Sequence, residues 1–540
     1  MTENRHWWRD AVVYQVYLRS FADGDGDGTG DIIGLRSRLP CLRDLGVDAI
    51  WVNPWYESPL RDGGYDVSDY RSIHPLFGTL EEARRMISKA HDLGLRVLVD
   101  LVPNHTSSEH RWFVEAVESA RGSAERERYH FLDGRGSDGS KPPNNWRSVF
   151  GGPAWTRLED GQWYLHLFDE SQPDLNWTNP EVRSEFEDIL RFWLDLGADG
   201  FRVDVAHALA KEPGYPDASG TRKELLETAH PEGHPAWDRP ELHEIVREWR
   251  AVLDDYGDRV MIAEAWLPNW NRFAKYLRPD EYHQAFDFLF LQAPWDAKSM
   301  WAAIDEAVTE TAAIGSVPTW VLSNHDVVRH ATRYGLPQDI DSREWLLDGD
   351  RGLLDPKLGL RRARAAILLM LALPGSVYLY QGEELGLPEV HDLPTEVLED
   401  PIWEDSGRTR KGRDGCRVPI PWTQEEPAYG FGDADPWLPQ PDQWADLSVE
   451  SQSGDPDSTL ELYRSALRLR AKHLLAEDFE WLDVGSDVLA FRKDGAVSCY
   501  VNFGESVVDL PEGEVIVSSM PGLENGLPAD TAVWILDTAN

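Results

Sequence analysis

The stretch LRVLVDLVPNH, residues 95–105, is an almost continuous apolar run that ends in a polar asparagine and histidine. Such a run is typical of a strand buried on both faces, as in a parallel sheet covered by helices. Helix-period segments that end at glycine, such as residues 80–94 and 179–197, separate runs of this kind. The other runs are residues 12–18, 47–52, 199–205, 258–266, 285–291, 318–326 and 376–384. This alternation predicts an α/β fold, a (β/α)8 TIM barrel.

The spacing of the predicted strands is uneven in two places, which indicates the domain organisation. A long segment rich in Gly, Trp and Asp separates the third and fourth strands, and loops of that length usually carry structure of their own. Alternating apolar and polar segments near the C-terminus predict antiparallel strands. We therefore expect a catalytic barrel of residues 1–104 and 176–471, an inserted domain of residues 105–175, a lid-like insertion at about residues 388–445 and a C-terminal β domain of residues 472–540.

The composition limits the partners of the protein. The chain of 540 residues has 53 Lys and Arg against 95 Asp and Glu, a net charge of −42, which would repel the phosphates of nucleic acid. The N-terminal residues are charged and carry no apolar signal segment. The longest apolar run, residues 365–380, contains Pro374 and is too short to span a membrane. We expect a cytoplasmic protein that binds neither nucleic acid nor membrane, with its oligomeric state left open.

Polar side chains stand at the ends of four predicted strands, where a buried strand has no need of them. The carboxyl ends of all strands in a β/α barrel face the same mouth, so these side chains should converge. Any one of them alone has a structural explanation, such as an ion pair or a helix cap. Three carboxyls at one mouth suit acid–base and nucleophilic chemistry at an acetal carbon. The residues concerned are Asn104, His105, Arg202, Asp204, Glu264, His325 and Asp326.

The same strand ends resemble a known family. DLVPNH (100–105), GFRVD (200–204), AEAW (263–266) and SNHD (323–326) are similar, in this order, to the four signature regions of the α-amylase family of glycoside hydrolases, family 13. Further segments resemble its α-glucosidase and oligo-1,6-glucosidase branch, whose members trim short sugars from the non-reducing end. These segments are WWRDAVVYQVYLRSFADGDGDGTGDIIG (7–34), GGYDVSDY (63–70), QPDLNW (172–177) and GRDGCRVPIPW (412–422).

The resemblance implies a role for each of the three acids. Asp204 would be the nucleophile, and Glu264 would be the general acid and then the base, with a pKa raised by its apolar neighbours. Asp326 would hydrogen-bond sugar hydroxyls and favour the distorted transition state. Arg202 stands two residues before Asp204, so on a strand it points to the same side, and we expect it to lower the pKa of Asp204.

The resemblance also implies which residues bind the terminal glucose. Tyr65 would be a stacking platform and Asp66 a hydroxyl ligand. Two histidines would hydrogen-bond the same glucose unit, and Arg413 would close the pocket, with Arg417 as the competing candidate. The predicted substrate-binding residues are thus Tyr65, Asp66, His105, Arg202, His325 and Arg413.

The resemblance therefore implies a retaining, exo-acting α-glucosidase that hydrolyses maltose-like or isomaltose-like oligosaccharides through a covalent glucosyl–Asp204 intermediate. In such an enzyme the Asp204 and Glu264 carboxyls stand about 5 to 5.5 Å apart. Val205 after the nucleophile is common in α-1,6-specific members, but the continuation AHALA (206–210) departs from that pattern. An oligo-1,6-glucosidase, or an α-glucosyltransferase or sugar isomerase with the same intermediate, stays an alternative. A non-catalytic binding protein is disfavoured by the complete set of three acids. A phosphate-using barrel enzyme is disfavoured because YQGEELG (380–386) offers acids where a glycine-rich anion loop would be needed.

The segment FADGDGDGTGDIIG, residues 21–34, is the densest run of aspartates in the chain. It lacks the lysine of a phosphate loop, and an EF-hand would need Glu where Gly34 stands. Oxygen ligands at alternate positions suit a hard cation, and the segment resembles the first-loop calcium site of the α-glucosidase branch. We expect one structural Ca²⁺ here, with a solvated turn as the alternative. The predicted ligands are Asp23, Asp25, Asp27, the carbonyl of Thr29, and Asp31.

Overall fold

Strands and helices alternate through most of the computed structural model, which describes residues 6–219, 233–348, 351–425, 427–475, 477–493, 497–523 and 526–536. The strands are β1 (Val12–Val16), β2 (Ala49–Val52), β3 (Tyr56–Glu57), β4 (Asp69–Ile73), β5 (Arg96–Leu101), β6 (Phe131–Asp133), β7 (Trp155–Arg157), β8 (Gln162–Leu165), β9 (Gly200–Val203), β10 (Val260–Ala263), β11 (Gln284–Ala285), β12 (Thr319–Val321), β13 (Ser376–Tyr380), β14 (Glu480–Trp481), β15 (Val488–Lys493), β16 (Val497–Asn502), β17 (Glu514–Ser518) and β18 (Thr531–Leu536). The α-helices are α1 (Ile32–Leu45), α2 (Leu80–Asp92), α3 (Arg111–Glu118), α4 (Pro180–Leu196), α5 (Leu242–Asp254), α6 (Trp270–Tyr276), α7 (Phe288–Gln292), α8 (Ala297–Ala313), α9 (His330–Arg333), α10 (Ser342–Asp348), α11 (Pro356–Ala372), α12 (Pro401–Asp405), α13 (Val449–Gln452) and α14 (Thr459–His473).

The central sheet has eight parallel strands in the order β11-β10-β9-β5-β2-β1-β13-β12. The two outer strands of this order are also linked, because the backbone N–H of Asp287, just after β11, donates to the carbonyl of Thr319 in β12 (2.9 Å). The sheet therefore curls back on itself, and the predicted (β/α)8 barrel is confirmed. Its strand ends bring distant parts of the chain to one face.

Helix caps explain where the outer helices begin and end. Thr79 and Glu82 form a reciprocal capping box at the start of α2. Asn179 caps α4, Pro180 occupies its first turn, and Gly197 ends it with a left-handed φ of 114° that a side chain would disfavour. The apolar faces of both helices are buried, so they cover the barrel as the sequence pattern predicts.

The predicted sixth strand, residues 285–291, is mostly wrong. Only Ala285 belongs to a strand, β11, whereas residues from Phe288 onward form the short helix α7. The reason is local: the Asp287 carboxylate accepts hydrogen bonds from the backbone N–H groups of Leu289 and Phe290 and so starts a helix. An apolar run of this length does not by itself separate a strand from a buried helix.

Besides the short antiparallel pair β3-β4, two smaller antiparallel sheets accompany the barrel. The strands β6-β8-β7 form one between β5 and β9, and β14-β15-β16-β18-β17 form the other at the C-terminal end of the described chain. Both lie where the sequence predicts additional domains, and the domain boundaries themselves stay a prediction. Within the described residues of 388–445, α12 and short 3-10 turns are the regular elements.

No helix of the described residues is both long enough and apolar enough to cross a membrane.

Candidate active site

A pocket opens beyond the carboxyl ends of the barrel strands. Asp204 directly follows β9, Glu264 directly follows β10, and Asp326 lies beyond β12. All three predicted acids contribute to the pocket wall, so the structure brings them together. The pocket is lined by Asp62, Tyr65, His105, Val149, Phe150, Phe168, Asp204, Val205, His207, Trp237, Glu264, Trp266, Asp326, Val327 and Arg343.

The Arg202 guanidinium lies beneath the pocket and connects its acids. Its Nη1 donates to Asp204 Oδ1 (2.6 Å) and to Asp100 Oδ1 (3.0 Å), and its Nη2 lies 3.8 Å from Glu264 Oε2. Arg202 is 2% exposed, and its ion pairs are therefore screened little by solvent. A buried cation shared among carboxyls offsets part of their desolvation cost and fixes their positions.

The pKa of Asp204 departs from the prediction. Burial raises it, the Arg202 charge lowers it, and the charges of Glu264 and Asp100 raise it again, so that its net direction is well above the usual value. The prediction that Arg202 lowers the pKa of Asp204 is right for that one contact and wrong for the net shift. Sequence reasoning considered a single pair, whereas the folded site crowds several carboxyls around one guanidinium. Asp204 and Glu264 therefore share protons as a coupled pair.

The Glu264 carboxyl is held at both oxygens. Its Oε2 accepts from the backbone N–H of Val205 (2.7 Å), and its Oε1 accepts from the indole N–H of Trp266 (2.5 Å). Glu264 is 8% exposed. Burial raises its pKa and outweighs the Arg202 charge and the Val205 N–H, which lower it. The direction is the one expected for a group that must donate a proton.

Asp326 has the opposite electrostatic setting. Its Oδ1 accepts from Arg413 Nη1 (2.8 Å) and Arg417 Nη2 (3.1 Å), and its Oδ2 lies 3.2 Å from His325 Nε2. Burial alone would raise its pKa, but the close His325 ring and the charges of Arg413 and Arg417 hold the pKa of Asp326 below its usual range. Asp326 is thus an anion throughout the physiological pH range, which suits an acceptor for sugar hydroxyls.

The two candidate arginines have different positions. Arg413 bridges three carboxylates: Nη2 donates to Asp62 Oδ1 (2.9 Å), Nη1 to Asp326 and Nε to Asp400 Oδ2 (2.6 Å). Arg417 donates through Nε to the carbonyl of His325 (2.9 Å) as well as to Asp326. Arg413 therefore joins two pocket-lining acids, whereas Arg417 contacts one. Both are buried, and both act on the pocket through Asp326.

The structure places Asp62, and not the predicted Asp66, in the pocket wall. Asp66 is fully buried, and its carboxylate accepts from Ser58 Oγ and from the backbone N–H groups of Arg61 and Asp62 (2.8, 3.0 and 3.2 Å). Burial raises its pKa to about 6. The structure therefore does not place Asp66, the predicted hydroxyl ligand, at the pocket, because its carboxylate is hydrogen-bonded within its own loop. Asp62 is the residue that sequence reasoning missed.

Tyr65 and the two predicted histidines lie together. The Tyr65 ring stacks on His325, with centroids 5.2 Å apart and planes 5° apart, and its hydroxyl donates to Asp100 Oδ2 (3.0 Å). His105 Nε2 lies 3.1 Å from the carbonyl of Tyr65. Tyr65 and His105 line the pocket, whereas His325 packs behind Tyr65. Burial lowers the pKa of both histidines, so that they are neutral.

Aromatic side chains form the remaining wall, and sequence reasoning assigned none of them to the site. His207, three residues after Asp204, packs against Trp237 with ring centroids 5.0 Å apart. Burial lowers the pKa of His207 to about 4. The position of His207 three residues after the predicted nucleophile is the sequence signal that could have identified it as a pocket residue. Trp237, by contrast, is brought in from a separate segment by the fold.

The aspartate loop before α1 lies apart from the pocket-lining residues. One carboxylate oxygen from each of Asp23, Asp25 and Asp27 lies within 4.8 Å of the others, and burial and neighbouring charges raise the pKa of Asp25. Hard oxygen donors at such spacing fit Ca²⁺. Asp31 has another position, because its Oδ1 accepts from the backbone of Gly34 as the cap of α1. Three of the predicted ligands are thus brought together.

Comparisons with known proteins agree with this geometry. The sequence matches the family described as alpha amylase, catalytic domain, over residues 15–478. A probable alpha-glucosidase of Rhizobium meliloti (strain 1021) is 38% identical over 97% of this chain and 96% of its own, and an oligo-1,6-glucosidase of Parageobacillus thermoglucosidasius is 35% identical over 87% and 84%. The solved structure of the alpha-glucosyl transfer enzyme XgtA has a TM-score of 0.86 at 34% identity, covering 99% of this chain and 100% of that one.

A (β/α)8 barrel with three carboxyls converging at its strand ends defines the protein as a glycoside hydrolase. The chain belongs to the α-amylase family, glycoside hydrolase family 13, and within it to the α-glucosidase branch.

Proposed function

We propose that the protein is a retaining, exo-acting α-glucosidase that releases terminal glucose from short α-linked oligosaccharides. The observation that carries this proposal is the pair of carboxyls joined by Arg202, with Asp204 in direct contact at 2.6 Å and Glu264 at 3.8 Å. Burial and crowding raise the pKa of both carboxyls, so that the two together retain one proton. The closer ion pair with Arg202 places the anion on Asp204 and leaves that proton on Glu264. One anionic and one protonated carboxyl are what the retaining mechanism requires.

In the first step, the Asp204 carboxylate attacks the anomeric carbon while the C–O bond to the leaving group breaks. Glu264 gives its proton to the leaving oxygen, and a glucosyl ester of Asp204 forms. In the second step, the Glu264 carboxylate takes a proton from water, and the resulting hydroxyl oxygen attacks the anomeric carbon. Asp204 leaves as a carboxylate, and both side chains return to their starting forms.

The bridge through Arg413 supports exo action. Its guanidinium ties the Asp62 and Asp326 carboxylates together at one end of the pocket, at 2.9 and 2.8 Å. A sugar bound between these anions would meet a buried arginine beyond its hydroxyls, and this arginine would oppose extension of the chain on that side. We therefore assign this end to the terminal glucose and place the leaving group towards Trp266 and Trp237.

The experiment that tests the proposal is a time-resolved NMR analysis of the glucose released from p-nitrophenyl α-glucoside, because maltose and isomaltose also release their own reducing-end glucose as an anomeric mixture. We expect α-glucose to appear first and β-glucose to follow by mutarotation, since two inversions restore the original configuration. Initial rates on maltose and isomaltose at equal concentrations will rank the two linkages, and sucrose and trehalose extend the comparison. Initial release of β-glucose from the p-nitrophenyl glucoside would contradict a retaining mechanism.

Transfer to an acceptor other than water is the second candidate function. The pocket wall around the acids contains apolar side chains, among them Val149, Phe150, Phe168 and Trp237. Such a wall disfavours water and suits a bulkier acceptor. The structural likeness to XgtA favours the same function, since XgtA is an alpha-glucosyl transfer enzyme. If a disaccharide yields glucosylated acceptor and little free glucose, this second function holds and hydrolysis is the side reaction.

We further propose one structural Ca²⁺ in the first barrel loop, bound by Asp23, Asp25, Asp27 and the carbonyl of Thr29. The folded loop brings the three carboxylates together, so the ion would add stability by mass action, about 2.7 kcal/mol at one hundred times its Kd. We expect a chelator to lower the Tm and added Ca²⁺ to restore it, with kcat unchanged. Asp27→Asn should make the Tm insensitive to both. An identical wild-type Tm with chelator and with calcium would refute the ion site.

A further inference from the structure

We propose that Trp266 is a positioning residue for Glu264, and that its indole N–H and the backbone N–H of Val205 together clamp both oxygens of that carboxyl. The two hydrogen bonds measure 2.5 Å to Oε1 and 2.7 Å to Oε2. The inference rests on the proposed role of Glu264 as acid and base. It adds a residue of the AEAW segment to which no role was assigned from sequence.

The Trp266 ring is itself fixed. It stacks on Phe288 with ring centroids 3.8 Å apart and planes 13° apart, and Phe288 is 3% exposed at the start of α7. The indole N–H therefore points at Glu264 from a ring whose orientation is set by packing. A donor fixed in this way loses little conformational entropy when it forms its hydrogen bond.

Val205 holds its half of the clamp in a strained conformation. Its φ is 45°, which lies in the left-handed region that β-branched residues avoid. The turn aims the Val205 N–H at Glu264 Oε2 directly after the proposed nucleophile. Backbone strain of this kind persists only where the surrounding structure stabilises it, and it is common at functional sites. Here it provides a donor that no side chain could replace.

The charges around Glu264 decide which oxygen carries the proton. Arg202 Nη2 lies 3.8 Å from Oε2, which also accepts from the backbone, so this oxygen stays an acceptor. The proton then belongs on Oε1, the oxygen that Trp266 contacts. Asp204 and Asp326 add negative charge nearby, and His207 is neutral at physiological pH. The indole N–H donates to a lone pair of Oε1 and leaves its O–H directed at the pocket.

This arrangement makes Glu264 a stronger acid. When the proton leaves for the glycosidic oxygen, the charge that develops on Oε1 already has a hydrogen-bond donor in place. A donor to the ionised form lowers the pKa of a carboxyl. Trp266 therefore assists the step in which the leaving group must be protonated.

The test is Trp266→Phe, which keeps an aromatic ring against Phe288 and removes the N–H. We expect the alkaline limb of kcat/KM against pH to move up by about one unit, because loss of the donor raises the pKa of the acid. We also expect kcat for maltose or isomaltose to fall by about tenfold. For p-nitrophenyl α-glucoside, whose leaving group needs no proton, the loss should be much smaller.

Trp237→Phe is the matched control, because Trp237 lines the same pocket and packs on His207. Its alkaline limb should stay at the wild-type position. Trp266→Tyr also removes the indole N–H and serves if the phenylalanine variant does not fold. If either folded Trp266 variant keeps the wild-type alkaline limb and the wild-type dependence on leaving group, Trp266 does not position the acid.

A parallel Glu264→Gln variant distinguishes the proposed acid–base role of Glu264 from the positioning role inferred for Trp266. Loss of maltose turnover in Glu264→Gln, with partial activity on p-nitrophenyl α-glucoside, supports the acid role. If that loss occurs while Trp266→Phe behaves as wild type, only the inference about Trp266 fails. If Glu264→Gln turns over maltose normally, the proposed function itself fails.

Discussion

Replacing Asp204 by Asn should reduce kcat on every α-glucoside by a factor on the order of 10⁴ or more, because the amide cannot form the glucosyl ester. The fold should be retained, since Asn has the same shape and the Arg202 contact at 2.6 Å is to one oxygen only. Removing one of several crowded carboxyls also relieves repulsion, as burial and neighbouring acids raise the pKa of Asp204. Steady-state kinetics and the Tm, measured on the same preparation, check both parts.

A chemical rescue makes this prediction more specific. In Asp204→Gly, azide can occupy the vacated space and attack α-glucosyl fluoride from the opposite face, so the product should be β-glucosyl azide. Asp195→Asn is a matched control, because Asp195 is exposed and contacts the Tyr256 hydroxyl at 2.9 Å. Its kinetics should equal those of the wild type. Normal turnover by a folded Asp204→Asn protein would remove Asp204 from the mechanism.

The second large effect is expected at Asp62, with Asp66 as its comparison. Asp62→Asn should lower kcat/KM for disaccharides by about 10²- to 10³-fold, because the charged partner of Arg413 and an acceptor for glucose hydroxyls are lost together. The other oxygen of this carboxylate accepts from Gln172 Nε2 (3.0 Å), and an Asn oxygen can keep only one of the two bonds. Because Arg413 keeps its contacts with Asp326 and Asp400, the Tm should fall only modestly while the activity falls strongly.

Asp66→Asn should give the reverse pattern. Both oxygens of Asp66 accept from donors, at 2.8 and 3.2 Å on one oxygen and at 3.0 Å on the other. An amide NH₂ would face one of these donors, which costs about 1–3 kcal/mol for a buried group. We expect a lower Tm and, for the folded enzyme, less than about a tenfold loss of kcat/KM. If Asp66→Asn destroys activity while Asp62→Asn leaves it intact, then Asp66, and not Asp62, binds the glucose hydroxyls.

Much of the fold was predictable because its signals are local. Apolar runs, capping residues such as Thr79 and Asn179, and glycines after helices each act over a few residues. The failure at residues 285–291 is also local, since the cap formed by Asp287 competes with a strand pattern. The three acids were predictable for a related reason: each stands at or beyond the end of its own strand, and barrel topology alone brings strand ends together.

The sequence by itself determined the barrel, the family and the positions of Asp204, Glu264 and Asp326, because each depends on a short motif within a repeating pattern. Only the tertiary structure decided between Asp62 and Asp66. Gly63 and Gly64, with φ of 57° and 104°, form the turn between them, and the Asp62 carboxylate lines the pocket whereas the Asp66 carboxylate is hydrogen-bonded within the loop. Arg413, which pairs with Asp62, comes from 351 residues away. Charge compensation in a buried site depends on every group that folding brings near, and no local pattern contains that information.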